Sequence, residues 1–360
     1  MSAESRDAAL REMRTTREAA GLYDYSARGK VVVSGADRIE FLQGMLTSDV
    51  AALPEGRAQR SAIVTAMGKM IANLLLLKRR DDVLLETPPG RAQVVVETLA
   101  KYIITEDVEL ADRTSELAIL SVHGPCSTEI LKNTFATSTP TGSAPSEAAH
   151  DSRTSVATLF SAPEDAFAFR ELAWNEAPAV ILRHDRFRLP GYDVWAPSSH
   201  ADGLREALLR GGAAHGFAVC GDDARETLRI AAGRPAWGRE ITEDNFPGEV
   251  GLSTAVSVTK GCYVGQEVLS RIHNLGHVNR VLVCLSLEDR IWTTPTTLWA
   301  GSANDSDEVG VLTSIAPCAE ENRRAALGLV RTRAASVGNV LVARAADGAE
   351  GRASITSTIA

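Results

Sequence analysis

Short apolar runs alternate with amphipathic segments along most of the chain. The run Val31-Val32-Val33 predicts a buried strand, and Ile39, Leu42 and Leu46 then fall on one face of a helix. Further strands are predicted at residues 61–65, 70–78, 83–86, 108–111, 117–122, 179–183 and 191–195, and further helices at about 91–102, from 198 onward and at 222–232. Hairpins dominate over regular strand–helix–strand alternation, so the pattern predicts an α+β fold.

The last part of the chain has a different pattern. From residue 278 onward, short β-rich runs at 278–287, 308–315, 325–330 and 339–344 are separated by polar turns. Such spacing is typical of a small barrel or sandwich. We therefore expect an all-β unit at the C-terminal end.

Size and composition set the broad class. The chain has 360 residues, which exceeds the size at which single cores usually stop growing, so more than one compact unit is expected. Residues 134–155 are rich in Ser, Thr, Pro and Ala without an apolar period and predict an exposed connection between domains. No run reaches the roughly 20 apolar residues of a spanning helix, and no signal-like segment is present, so a cytoplasmic location without membrane contact is expected.

Charge and cysteine usage exclude several classes of site. A net charge of -8 disfavours nonspecific nucleic-acid binding, although a local basic pocket for a small anion is compatible with it. The five cysteines have no C-x-x-C spacing, which argues for reduced thiols and against a zinc or cluster site. The motifs of P-loop, Rossmann, serine-hydrolase and H-E-x-x-H metalloprotease sites are absent from the sequence.

The densest set of reactive groups is the string Lys260-Gly261-Cys262-Tyr263-Val264-Gly265-Gln266-Glu267. Glycines on both sides of a thiol allow a tight bend and the close approach of a ligand. The ammonium of Lys260 could stabilise the thiolate of Cys262, particularly if Gln266 begins a helix. The alternative is a buried cysteine that acts as a small hydrophobe, and on local chemistry the two readings are equally supported.

Three other sets of polar and aromatic residues could bind a ligand, but each can also be explained by its role in packing or surface ion pairs. His273 and His277 have a metal-ligand spacing, but Gly276 interrupts the helix and no third ligand is spaced to join them, so we predict no metal site. Arg225 and Arg229 could present guanidinium groups to a carboxylate or simply form surface ion pairs. The stretches around Tyr23-Asp24 and Gly191–Trp195 supply aromatic and acidic groups near turns, which more often serve packing.

Taken in order along the chain, these segments resemble one family. The resemblance rests on Gly21-Leu22-Tyr23-Asp24, Phe41-Leu42-Gln43-Gly44, Gly68-Lys69-Met70, Glu226-Thr227-Leu228-Arg229 and the K-G-C-Y-x-G-Q-E string, and it covers roughly residues 20 to 345. The family is YgfZ, a folate-binding branch of the glycine-cleavage T-protein (aminomethyltransferase) superfamily. The T-protein proper ordinarily has no cysteine at the position of Cys262, so this cysteine indicates the YgfZ branch rather than the T-protein.

The resemblance implies three domains around a central channel that holds tetrahydrofolate or a one-carbon derivative. The first domain would comprise residues 1–50 and 155–245, the second 51–154, and the third, with a C-terminal β-barrel, 246–360. Cys262 and Lys260 would be the reactive pair, and the expected folate-binding residues are Tyr23, Asp24, Arg229, Glu226, Trp195, Tyr263, Gly265 and Gln266. The implied partners are folate and iron–sulfur enzymes or cluster-assembly proteins.

One departure from the T-protein bears on mechanism. The T-protein has a catalytic Asp after the strand that matches Val83–Glu86, whereas Thr87–Val95 contains no carboxylate here. Aminomethyl transfer needs a group that orients the amine or accepts its proton. The sequence therefore favours an accessory factor that assists iron–sulfur enzymes through Cys262. The alternative is a folate-dependent aminomethyltransferase that uses another carboxylate, such as Glu226 or Asp24.

Overall fold

The computed structural model describes residues 3–136, 139–140, 167–276, 278–289, 292–301, 307–346 and 348–359. Most of the connection predicted at 134–155 lies outside these residues, as does His277. The α-helices are α1 (Ala3–Glu18), α2 (Arg38–Met45), α3 (Ala92–Ala100), α4 (Ser127–Thr134), α5 (Ala201–Gly211), α6 (Asp222–Ala231) and α7 (Gln266–Leu275). Short 3-10 helices span Ser198–His200, Ala213–His215, Pro247–Val250, Ser253–Ala255 and Thr332–Ala334.

The first sheet is mostly antiparallel, and its strand order is β12-β1-β7-β11-β10-β9-β8. Its strands are β1 (Gly21–Asp24), β7 (Leu117–His123), β8 (Thr139–Pro140), β9 (Phe169–Trp174), β10 (Ala177–Arg183), β11 (Gly191–Pro197) and β12 (Ala218–Val219). Its outer face is covered by α4 and α5, which contribute Ile130, Leu131, Leu204 and Leu208 to one apolar core. The helices therefore cover the side of this sheet that faces away from the rest of the chain.

The second sheet is a five-stranded antiparallel sheet of order β3-β4-β5-β2-β6. Its strands are β2 (Gly29–Ser34), β3 (Arg57–Val64), β4 (Met70–Lys78), β5 (Val83–Thr87) and β6 (Glu109–Asp112). In β4, Leu74 and Leu76 pack beneath α2 and α3, whereas Leu75 and Leu77 point to the first sheet. Because both faces are buried, the strand is a continuous apolar run rather than an alternating one.

The two sheets pack face to face, so that the layers run helices, sheet, sheet, helices. The apolar part of their interface contains Ala58, Leu75, Leu77, Leu84, Ile119, Phe169, Val180, Leu182 and Trp195. The division of the chain into domains stays a prediction, since sheet membership alone does not define a domain. Within the sheets, β2 pairs with β5, and β7 lies between β1 and β11.

The C-terminal part forms a closed antiparallel barrel of order β13-β16-β15-β14-β17-β18, in which β18 returns to pair with β13. Its strands are β13 (Arg280–Glu288), β14 (Thr296–Ala300), β15 (Asp307–Ile315), β16 (Arg323–Arg331), β17 (Val340–Arg344) and β18 (Glu350–Ile359). The predicted α+β class and the predicted C-terminal barrel are confirmed.

Helix α1 was not predicted, and it connects the start of the chain to the barrel. Met13 is fully buried against α6, while Arg6 and Arg17 form ion pairs with Asp289 and Glu320. None of the helices described here has the length and hydropathy needed to cross a bilayer.

Candidate functional site

The segment that carries Cys262 (residues 257–265, called here the Cys262 segment) joins the 3-10 helix Ser253–Ala255 to α7. The side chain of Cys262 is exposed, whereas Cys220, Cys284 and Cys318 are buried. Exposure removes the alternative that Cys262 is a core hydrophobe. The reactivity of the thiol stays a prediction.

Glycine is required where the Cys262 segment enters α7. Gly265 has a φ of +81°, and a Cβ there would lie 2.6 Å from the carbonyl oxygen of Thr65. Either feature alone would exclude most residues. The amide of Val264 donates to the carbonyl of Gly44 over 3.1 Å, and Nε2 of Gln266 donates to the carbonyl of Lys260 over 3.2 Å. The segment is therefore held between α2, the β3–β4 turn and the start of α7.

Lys260 is buried and anchors this segment to α2. Its Nζ donates to the carbonyl oxygens of Gln43 at 2.6 Å and Leu46 at 2.5 Å, and it lies 4.5 Å from the centroid of the Tyr263 ring. Burial lowers the pKa of Lys260 to about 8, and the nearby charge of Asp49 opposes that shift. These contacts are with the end of a helix, where a cation is favourable. Activation of Cys262 by Lys260 stays a prediction.

Tyr263 belongs to the core rather than to the surface of the segment. Its ring packs in the cluster that joins the barrel to residues 241–269, and its hydroxyl donates to the carbonyl of Ser257 over 3.1 Å. Burial raises the pKa of the Tyr263 hydroxyl. Its described contacts are structural, and its folate-binding role stays a prediction.

Tyr23 and Asp24 are adjacent in β1 but lie in opposite environments. Tyr23 is buried, with its hydroxyl 2.6 Å from that of Thr16, and burial strongly raises its pKa. Asp24 is largely exposed and accepts bonds from the Ser26 amide and from Arg205, both at 2.8 Å. Partial burial would raise the pKa of Asp24, but these bonds outweigh it and lower the pKa below its ordinary value.

Arg229 on α6 is fully engaged by protein groups. Nε and Nη2 donate to the Glu226 carboxylate, both at 2.7 Å, and Nη2 also donates to Ser314 at 2.9 Å. Nη1 donates to Glu240 at 3.0 Å and to the carbonyl of Arg234. Every N–H of the guanidinium is therefore used. A ligand role for Arg229 stays a prediction that requires one of these partners to be exchanged.

Trp195 lies between the two sheets. It is 2% exposed, and its Nε1 has no hydrogen-bond partner among the described residues. Its neighbours are the apolar side chains of the sheet interface. Trp195 and the Tyr263 ring of the Cys262 segment belong to different apolar clusters, and the predicted contact of Trp195 with folate stays a prediction.

A set of charged residues that the sequence did not reveal lies beside this interface (the intersheet cluster: Arg28, Glu86, His184, Arg186 and Asp193). Arg186 donates to both oxygens of Glu86, at 3.0 and 2.9 Å, and to both oxygens of Asp193, at 3.0 and 2.7 Å. Arg28 also pairs with Glu86, and His184 Nδ1 lies 2.8 Å from Asp193. The carboxylates are fully buried and are neutralised by arginine.

The electrostatics of the cluster follow from these pairs. Burial would raise the pKa values of Glu86 and Asp193, but the charge of Arg186 more than offsets it, so both pKa values are lowered. Ligand atoms of Glu86, His184 and Asp193 lie within 4.8 Å of one another, a spacing that could suit a metal ion. The guanidinium of Arg186 already supplies the positive charge at both carboxylates. This geometry is that of a structural ion cluster.

His123 borders the cluster as a neutral, fully buried imidazole. Neither ring nitrogen has a hydrogen-bond partner among the described residues, and burial lowers its pKa to about 3. A Cβ at Gly191 would fall 1.9 Å from His123 Nδ1, so only glycine allows this approach between β7 and β11.

A signal for the intersheet cluster was present in the sequence. Glu86 follows three apolar residues in β5, and Asp193 lies within the aromatic and aliphatic stretch of β11. A charged side chain in a strand that is otherwise buried requires a partner. The partner, Arg186, could not be identified because it is 100 residues from Glu86 in the chain.

A cleft of about 780 Å³ lies between α7 and the barrel. Val256, Val258, Leu269, Ile272, Val281 and Ile359 make its lining largely apolar. Cys262 is not among the lining residues, although the chain enters the Cys262 segment directly from Val256. Residues close to Cys262 in the chain therefore line the cleft, but Cys262 itself does not.

Comparison with known proteins adds three findings. Residues 2–260 match the family model described as "GCVT N-terminal domain". The chain is 30% identical over 329 residues to an aminomethyltransferase of Corynebacterium aurimucosum, covering 91% of this chain and 83% of that protein. It is 31% identical over 283 residues to an aminomethyltransferase of Bacillus subtilis, covering 78% of this chain and 72% of that protein.

A solved structure has the same fold. The glycine cleavage system aminomethyltransferase T from Bartonella henselae superimposes with a TM-score of 0.79 at 22% identity, over 97% of this chain and 88% of that chain. At this identity the likeness establishes the fold alone. The predicted T-protein-like architecture is therefore confirmed.

Proposed function

Because the chain belongs to the GCVT N-terminal domain family, we propose that it is a tetrahydrofolate-binding accessory protein of the YgfZ kind, which assists the assembly or repair of iron–sulfur enzymes through Cys262. The observation that carries this proposal is the exposed thiol of Cys262 within a rigidly held segment. An exposed thiol can meet a cluster, a sulfur carrier or an oxidised partner protein.

The carboxylates also favour an accessory role. The stretch Thr87–Val95 contains none, and the substitutes considered for a transferase, Asp24 and Glu226, are both in ion pairs with arginine. Burial would raise the pKa of Glu226, but Arg229 lowers it, and the pKa of Asp24 is lowered as well. A carboxylate with a lowered pKa is a weak proton acceptor at neutral pH.

Folate fits the groups that the fold leaves unsatisfied. Oδ1 of Asn73 is buried and has no hydrogen-bond partner among the described residues. Asn73 lies two residues before Leu75 in β4, so it shares the face that points to the first sheet. An amide oxygen at this place would accept a bond from an N–H of tetrahydrofolate. When bound, tetrahydrofolate supplies a carrier for one-carbon units, and the residues of this chain bind and orient it.

A folate-dependent aminomethyltransferase is the second candidate. It is favoured by the names of the relatives from C. aurimucosum and B. subtilis. The two candidates share folate and differ in whether a one-carbon unit is transferred and whether the thiol is needed.

Two measurements separate these candidates. Calorimetry should give saturable tetrahydrofolate binding by the purified protein, and the absence of binding would exclude both. In cells that lack the native protein, Cys262→Ser should fail to restore the activity of an iron–sulfur dehydratase, while Cys126→Ser, a matched change at a half-buried thiol, should restore it.

If Cys262→Ser fully restored the dehydratase activity, a mechanism that depends on the Cys262 thiol would be excluded. Methylenetetrahydrofolate formed above background from tetrahydrofolate and an aminomethyl donor, in turn, would establish the transferase.

A further inference from the structure

Arg60 differs from the other arginines of the molecular interior. It lies on β3, two residues from Ala58, and both side chains point from the second sheet toward the first. Arg229 and Arg186 are held by carboxylates on several sides. Arg60 has neither a hydrogen bond nor an ion pair with any residue of the described ranges, and its only close contact of this kind is the Phe167 ring, 5.6 Å away.

The charges around Arg60 leave it uncompensated. Asp185 and Glu86 attract it, but Asp185 is bonded to Arg234, and Glu86 is bonded to Arg28 and Arg186. Burial and the charge of Arg234 lower the pKa of Arg60 to about 10, which still leaves the guanidinium protonated at neutral pH. Among the described residues, Arg60 is therefore the arginine of this group that has no carboxylate partner of its own.

Two further polar groups near Arg60 are unsatisfied. Asn73 pairs with Ala62 across β3 and β4, so it is the diagonal neighbour of Arg60 on the same face. Within the described part of the chain, its Oδ1 has no hydrogen-bond partner. The buried Nε of Arg234 also lacks a partner among the residues described. The Arg60 guanidinium, Asn73 Oδ1 and Arg234 Nε could thus be satisfied by a ligand that carries both an anionic group and N–H groups.

We propose that Arg60 binds a carboxylate of the glutamate tail of tetrahydrofolate, an inference that rests on the proposed folate function. In folate, the pterin is neutral and only the tail is anionic, so charge complementarity assigns the tail to the unpaired cation. Arg60, rather than the fully engaged Arg229, is the arginine available to the ligand.

The test compares Arg60→Met with the unmodified protein by calorimetry against three compounds. Tetrahydrofolate should bind about 10- to 100-fold more weakly, as expected when a charged hydrogen bond is lost. The tail fragment p-aminobenzoylglutamate should lose its binding, while the ring fragment 6-methyltetrahydropterin should keep its affinity. Arg60→Lys should recover part of the lost affinity because it keeps the charge.

A second measurement uses the ligand-free protein. Removing a partly buried cation that has no carboxylate partner among the described residues should raise the melting temperature of Arg60→Met. Arg229→Met should instead lower it, because the buried Glu240 loses its arginine. A fall in Arg60→Met would identify Arg60 as structural and overturn the proposal.

The binding outcomes are also decisive. Unchanged tetrahydrofolate affinity in Arg60→Met, or equal loss for the ring and tail fragments, would overturn the role of Arg60 while leaving the folate function intact. Failure of the unmodified protein to bind any of the three compounds would instead reject the folate function, and the assignment of Arg60 with it.

Discussion

The intersheet cluster and the Cys262 segment use charge in opposite ways. In the cluster, the Arg186 guanidinium and the carboxylates of Glu86 and Asp193 are removed from water and satisfy one another. In the Cys262 segment, the cation of Lys260 is buried against helix carbonyls, and the thiol is left exposed. The first arrangement fixes the packing of two sheets, and the second holds the Cys262 sulfur at the surface.

The largest effect is expected from breaking the cluster. Arg186→Met leaves buried carboxylates without their main partner and should lower the free energy of unfolding by about 3–5 kcal/mol, measured by urea denaturation. The matched control is Arg205→Met, which removes the exposed pair with Asp24 and should cost less than about 1 kcal/mol. Equal costs for the two variants would erase the contrast between buried and exposed charge.

An intermediate effect, visible in its pH dependence, is expected at Lys260. Burial lowers the pKa of Lys260 in the folded protein to about 8 from its ordinary value of 10.5. Between these values the unfolded chain holds a proton that the folded protein lacks, so the contribution of this group to stability rises with pH. Lys260→Met should remove that rise, measured as the urea midpoint across this interval. An unchanged slope would contradict the burial of the ammonium.

The smallest effect on stability is expected at the thiol itself. Because Cys262 is exposed, Cys262→Ser should leave the free energy of unfolding within about 0.5 kcal/mol, whereas the buried control Cys318→Ser should be less stable. Alkylation with iodoacetamide, followed by peptide mass analysis, should label Cys262 before Cys220, Cys284 and Cys318. Protection of Cys262 in the folded protein would contradict the exposed position.

Elements with a clear period were predictable. The apolar face of α2, the existence of α6, the strands β2, β4 and β7, and the barrel strands β13, β15, β16 and β17 followed from patterns within single segments, whereas β14 and β18 were not predicted. Strand β9 and helix α1 were missed, the latter because α1 is mostly polar and buries only a narrow stripe that includes Met13. Such a helix depends on tertiary packing more than on its own sequence.

The chemistry of the site was less predictable than the fold. The string drew attention to Cys262 among the five cysteines, but its exposure was established only by the structure, because the string alone supported a buried and a reactive thiol equally. The direction of the Lys260 side chain could not be inferred, because its acceptors, Gln43 and Leu46, are more than 200 residues away. The lack of an ion pair for Arg60 among the described residues is likewise a property of the assembled sheets and has no local sequence signal.

The ion pairs of α1 bear on how the chain acquires its native state. Arg6 and Asp289 are 283 residues apart, and Arg17 and Glu320 are 303 apart. Contacts of such high sequence separation slow folding, because a long loop must close before they contribute. During synthesis, the two ion pairs can form only after residues 289 and 320 have left the ribosome. We therefore expect the contacts between α1 and the barrel to form late in folding.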